Sequence, residues 1–223
     1  MVNYDRTLVT VAVLGGTGKE GSGLAMRWAL HGYRVIIGSR EVARAEARAA
    51  EMNAILGGDY LVGMSNAEAA AQADLVVLSV PYSAHANTLT SVKDKLAGKI
   101  LIDVTVPLQP PQVRVVHVPE GKAAALEAKA LLGDSVRIVS AFQNVSAEKL
   151  ADPAREVDCD VLVTSDDAEA KQEVMRLVEA AGMRGIDAGP LANAVAAEAL
   201  TPILLHINKT YGVKGSGIRI TGL

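Results

Sequence analysis

Short runs of consecutive apolar residues alternate along the chain with longer stretches rich in alanine and charge. The apolar runs lack strict in–out alternation, as parallel strands buried on both faces do. They predict strands over residues 9–14, 34–38, 75–80, 100–104 and 136–141. The intervening stretches predict helices over 18–31, 42–55, 66–72, 82–95 and 122–132. Strands alternating with helices in this way imply an α/β fold, a doubly wound parallel sheet with crossover helices on its faces.

Around residues 150–158, "LADPAREVD", the chain turns polar and carries a proline, which marks a domain junction. Residues 1–155 then form the main domain and 156–223 a small C-terminal α/β domain. In the latter, strands are predicted over 161–164 and 184–187 and helices over 167–180 and 191–211. A piece of that size has a small core and leans on the main domain or on a second copy of the chain. The last helix carries Leu200, Ile203, Leu204 and Ile207 on one side and Pro202 within it, where proline kinks a helix or removes a hydrogen bond. Its apolar side suits either an internal core or the seam of a homodimer.

Composition narrows the function classes. A net charge of -3 gives no basic footprint for nucleic acid, and seven aromatic residues make a poor base-stacking surface. No apolar run approaches the ~18 or more residues that span a membrane. The stretch "MVNYDRTLVTVAVLGG" ends in glycines and not in a signal-cleavage site, so a cytoplasmic protein is expected. The single Cys159 allows neither an internal disulfide nor a thiolate zinc cluster.

The segment "VAVLGGTGKEGSGLAMRWALHGYRVIIGSR", residues 11–40, carries the chemistry. Gly16, Gly18 and Gly21 fit G-x-G-x-x-G behind an apolar strand and at the head of an amphipathic helix, the setting in which that string binds a dinucleotide. Glycine is needed at the tight turn, at the closest approach to the pyrophosphate, and where helix packs on strand. Free N–H groups and the positive helix end at Gly18, Lys19 and Glu20 would receive the phosphates. The Lys19 and Glu20 side chains are expected at a solvent-facing rim.

At the end of the second strand, proteins that prefer NAD place an acid on the ribose 2′-OH. Here Ser39 and Arg40 stand there, with Arg44 one helical turn on and Thr17 at the tip of the glycine loop. A hydroxyl and a guanidinium receive a 2′-phosphate that a carboxylate would repel. The Arg40 fork is worth about 1.5–3 kcal/mol, roughly 10- to 100-fold in affinity. Glu41, an acid one step late, is a helix-start charge or an ion-pair partner of the arginines. A merely solvated arginine face is the alternative, and NADP(H) is the favoured cofactor. Trp28 is read as core, not as a stacking platform. No catalytic acid or base stands out. His85, after "VPYSA" at the expected cleft mouth, is the best placed of the four histidines to touch a cofactor.

Three segments, "LGGTGKEGSGLAMRWALHGYRVIIGSR", "LVVLSVPYSAH" and "IDAGPLANAVAAEALTPILLHIN", together resemble the NADPH-dependent reductases of the deazaflavin coenzyme F420. The likeness spans nearly the whole chain and is weakest over residues 108–132. It implies an N-terminal Rossmann domain, a small C-terminal domain that helps hold the deazaflavin, and a homodimer. It also implies reversible hydride transfer between the nicotinamide C4 and the deazaflavin C5. Carried over by position, Gly16, Thr17, Gly18, Lys19 and Glu20 would cradle the pyrophosphate and adenosine side of NADP. Ser39, Arg40 and Arg44 match its 2′-phosphate contacts. Val80 and Val106 would line the nicotinamide, with Pro81 shaping the turn. Val145, Ala147 and the segment near Ser216 would hold the deazaflavin. The chain departs from the family at Gln143, where a histidine is usual, and at Tyr82, where a tryptophan can stand. Gln143 is expected to keep a donor there without titrating.

Such a transfer needs alignment more than side-chain chemistry, so no catalytic residue and no metal is assigned. Two other readings stay open on the residues alone. One is a small NADP-dependent dehydrogenase or imine reductase acting on an ordinary organic substrate. The other is a non-catalytic NADP(H)-sensing domain.

Overall fold

The computed structural model describes residues 9–223; the leader-peptide reading of the first eight residues lies outside them. Six strands build one sheet: β1 (Thr10–Leu14), β2 (Arg34–Ser39), β3 (Leu61–Ser65), β4 (Leu75–Leu78), β5 (Ile100–Asp103) and β6 (Arg137–Ser140). Their order is β3-β2-β1-β4-β5-β6, and every neighbouring pair is parallel. Leu14 pairs with Gly38 on one side and Leu78 on the other, Leu78 with Asp103, and Asp103 with Ser140. The carboxyl ends of the strands therefore form one row. The direction of winding reverses between β1 and β4, and a crevice for a ligand opens at such a point.

Alternate residues of each strand serve two cores, since side chains switch face at every step. Val11 and Val13 join one buried cluster with Leu24 and Trp28 of α1 (Lys19–Leu30) and Met52 of α2 (Val42–Leu56). Ala12 and Leu14 join another with residues of α3 (Asn66–Gln72), α4 (Tyr82–Val92) and α5 (Ala124–Leu132). The fold is the expected Rossmann-type doubly wound sheet, with one strand more than the sequence predicts. β3 is short, interrupted by Gly63 and exposed at Val62, so its pattern reads as a turn. The glycine has a packing reason: a Cβ there would lie 2.2 Å from the backbone nitrogen of Glu46 in α2.

After β6 come a single helical turn, α6 (Ala147–Leu150), then β7 (Asp160–Val163), α7 (Ala168–Ala180), β8 (Arg184–Asp187) and α8 (Ala194–Tyr211). β7 and β8 pair in parallel, and the end of β6 meets the end of β7 in an antiparallel bridge between Ser140 and Thr164. α7 lies against α1, where the Trp28 indole N–H donates to the Leu177 carbonyl at 2.9 Å. Val161, Val163, Val174 and Leu177 belong to the same buried cluster as Leu24 and Trp28. Arg27, also buried, donates to the carbonyls of Lys149, Asp152, Arg155 and Ala181. The polar stretch at 150–158 is thereby tied to α1 through neutral oxygens. Among the described residues no helix is long and apolar enough to cross a membrane.

Candidate active site

A cavity of about 680 Å³ opens at the carboxyl end of the sheet. One wall is the head of α1 with the residues that follow β4; the floor comes from the segments after β5 and β6; the far wall is α8 with residues 213–216.

The glycine loop is shaped by contact. Gly15 has φ +73°, and a Cβ there would sit 2.5 Å from the Ser79 carbonyl oxygen, so only glycine fits this turn without strain. A Cβ at Gly16 would meet the Val13 carbonyl at 2.7 Å, and at Gly21 the Gly16 Cα at 3.0 Å. Gly18 differs: a Cβ there would find nothing nearer than 3.5 Å. The protein itself does not require glycine at this position, whereas a phosphate brought against the backbone does. Gly18 is also the N-cap of α1 and supplies no side-chain cap, leaving the first N–H groups of the helix for an anion.

Glu20 is half-buried in the cavity wall, and burial pushes its carboxyl up to about 8. The rim position expected for it thus holds for Lys19, which is exposed, but not for Glu20. At the neighbouring strand end, Ser39 is buried and its hydroxyl accepts from the Glu41 N–H at 3.2 Å. Glu41 is the N-cap of α2 and, among the described residues, makes no ion pair with the arginines. Arg40 and Arg44 are exposed and form no salt bridge among the described residues. Arg48, which the sequence reading passed over, donates to the Ser22 hydroxyl at 3.0 Å, and Ser22 donates to the Gly16 carbonyl at 2.8 Å. It links the arginine-bearing helix to the glycine loop.

Val80, Pro81, Val106, Val145, Ala147 and Ser216 line the cavity with Gly18, Lys19 and Glu20. Gly16 and Thr17 belong to the loop leading into it; Ser39 and Arg40 stand at the end of β2 and Arg44 in the first turn of α2, outside the cavity lining. His85, expected at the mouth, is instead 2% exposed and hydrogen-bonded through Nε2 to Asp103 Oδ2 at 2.6 Å. Burial opposes charge on its ring, but the hydrogen bond and charge of Asp103, with Glu127 and Glu198 near, outweigh it and raise the pKa. The Tyr82 hydroxyl donates to Glu127 at 2.9 Å; burial and that partner push it up to about 12.

The chain turns sharply after β6. Phe142 has φ +75°, a strained value for a bulky residue, and is held by an edge-to-face contact with Trp28, centroids 5.9 Å apart. Gln143 follows. Its amide nitrogen donates to the Asp103 carbonyl at 2.7 Å and to the Ser140 hydroxyl at 2.9 Å. Both amide hydrogens are committed inward, so the side-chain donor expected for a ligand is not offered. The sequence reading gave no role to Asp103 at the end of β5 or to Glu198 of α8: Glu198 is buried, and its carboxylate accepts from the backbone N–H groups of Ala124 and Ala125. The available signals were an acid closing the apolar run "LID" and a lone acid in "AVAAEAL".

A parallel sheet wound in this order, a glycine loop with a vacant approach at Gly18 and a cavity at the point of reversal define a dinucleotide-binding protein of the Rossmann class. The family described as NADP oxidoreductase, coenzyme F420-dependent, matches residues 10–107. The F420-dependent NADP reductase of Methanothermobacter thermautotrophicus is 42% identical, over 97% of this chain and 96% of its own. That of Methanocaldococcus jannaschii is 40% identical, over 96% and 98%. The chain belongs to the F420-dependent NADP reductase family. Solved structures agree on the fold. A hypothetical protein from Sinorhizobium meliloti superposes with a TM-score of 0.69 at 24% identity, covering 86% of this chain and 89% of that one. Pyrroline carboxylate reductase from Plasmodium falciparum, with NADP bound, gives 0.60 at 17%, covering 92% and 68%.

Proposed function

We propose that the protein transfers a hydride reversibly between NADP(H) and coenzyme F420, holding the two at opposite ends of one cavity. The observation that carries this reading is that cavity, with an anion-receiving helix head on one wall and the largely apolar α8 on the other. It occurs in a chain 40% to 43% identical to F420-dependent NADP reductases along nearly its whole length.

Gly16, Thr17, Gly18, Lys19 and Glu20 take the pyrophosphate and adenosine side, and Ser39, Arg40 and Arg44 the 2′-phosphate. The vacant approach at Gly18 fits the pyrophosphate, and the exposed Arg40 and Arg44 fit the 2′-phosphate. Val80, Pro81 and Val106 wall the nicotinamide; Val145, Ala147 and Ser216 wall the deazaflavin. His85 holds Asp103 in place beneath them and does not touch either ring. When both are bound, the nicotinamide C4 and the deazaflavin C5 exchange the hydride. The chain's part is to bring those carbons to ~3–3.5 Å, to exclude water and to offer the backbone N–H of Ala147 to charge on the ring, the Val145 N–H being already given to the Phe142 carbonyl at 3.0 Å.

Residues 1–155 serve as the nucleotide domain and 156–223 as the small domain that completes the deazaflavin end and carries the dimer contacts. Support for a homodimer is the outward Ile203 on α8, 45% exposed. The lone, buried, unpaired Cys159 suits the cytoplasm. Mixing purified protein, NADPH and oxidised F420 should bleach the deazaflavin absorbance. Intact NADPH binding without bleaching would sink the reading, and reduction of an imine or ketone without F420 would favour an ordinary dehydrogenase.

A further inference from the structure

Ala123, the N-cap of α5, has no side chain able to cap the helix. The cap arrives from elsewhere in the chain: Glu198 Oε2 accepts from the Ala124 N–H at 2.8 Å and Oε1 from the Ala125 N–H at 3.1 Å. Glu198 is 2% exposed. It occupies the first two free donors of the helix with one carboxylate, an arrangement that fixes α8 against the head of α5 in angle as well as distance.

α8 bears the far wall of the cavity, and α5 ends the loop after β5 that forms part of its floor. Beyond Val106 on the nicotinamide side, that loop contributes Leu108 and Val113. α8 contributes Thr201, Leu205 and Asn208, which follow Glu198 at helical spacing and share its face. A second tie runs parallel to the first, from the Thr201 hydroxyl to the Gln143 carbonyl at 2.6 Å. Asn208 extends the effect: its Oδ1 accepts from the Ser216 N–H at 2.9 Å and so holds the last wall segment to the same helix. None of these contacts touches the glycine loop or the arginines at the end of β2.

We propose that Glu198 is a positioning residue for the second substrate: capping α5 from α8, it sets the height of the α8 wall over the floor that receives the deazaflavin and leaves the NADPH end untouched. The inference rests on the cofactor assignment above, and the test separates the two. F420 and NADPH are titrated separately by fluorescence into the full-length protein and its variants. Glu198→Ala should raise the Kd for F420 about tenfold or more with the Kd for NADPH within about twofold. Glu198→Gln keeps one acceptor and should fall between. Thr201→Val should move F420 affinity in the same direction, which keeps the idea testable if the alanine variant does not fold. Unchanged F420 affinity in these variants, or equal weakening of both cofactors, overturns the proposal. A wild-type protein that binds NADPH and not F420 overturns the cofactor assignment instead.

Discussion

Between Gly15 and Arg44 the chain sets out a glycine loop, a helix head and two exposed arginines within one strand–helix–strand unit. The floor and far wall of the same cavity draw on residues 105–113, 143–147 and 201–216. Those segments are brought together by buried cross-links: Glu198 to α5, Thr201 to Gln143, and His85 to Asp103. The contrast follows from what each end must bind. Phosphates call for backbone N–H groups and cations, which a short local motif supplies in water's presence. An aromatic ring calls for a dry slot of fixed width, and only distant elements pinned to one another provide that.

The comparison breaks most completely under Trp28→Ala. Trp28 is fully buried between α1 and α7 and braces Phe142 at its strained φ. Denaturant unfolding should show a loss of about 3–5 kcal/mol, and both cofactors should bind less well. Next in size is Arg40→Ala, which should weaken NADPH about 10- to 100-fold and leave NADH nearly unchanged. Equal losses in parallel titrations would show that Arg40 does not read the phosphate.

Glu20 gives a smaller, pH-dependent effect at the same end. Burial lifts its carboxyl to about 8, so a neutral acid faces the phosphates at pH 7 and a carboxylate at pH 9. The Kd for NADPH should rise about 3- to 10-fold over that range and stay flatter in Glu20→Gln. For folding the sign is the same. The native state holds this proton more tightly than the unfolded chain, so stability from Glu20 is complete below about 4.5 and lost as pH climbs through about 8. The Gln variant should lose that slope in a urea series. Smallest is Arg48→Ala, which frees Ser22 and the Gly16 carbonyl. NADPH and NADH should both weaken by the same factor of about 2–5, unlike the selective loss at Arg40.

Most of the fold could be read from apolar runs because parallel strands buried on both faces leave an unambiguous pattern. β3 escaped because an edge strand is half-exposed and Gly63, there to let α2 approach, looks like a breaker. The nucleotide loop was legible because its glycines answer local sterics. Glu20 was misplaced because its desolvation depends on the fold around the cavity wall it lines, which the local sequence does not show. His85 was placed at the mouth because its sequence neighbours lie there, while its partner Asp103 ends another strand. Gln143 shows the limit most plainly. Residue type promised a donor, and the direction of that donor was decided by the Asp103 carbonyl and the Ser140 hydroxyl.

Direct transfer within one cavity is the central claim, and isotope tracing tests it. NADPH deuterated at C4, prepared separately as each of its two epimers, is reacted with F420 on the protein in ordinary water. One epimer should deliver its deuterium to C5 of the deazaflavin, read by mass spectrometry of the reduced product. Label released to solvent from both epimers would contradict a pair of rings held face to face between the glycine loop and α8.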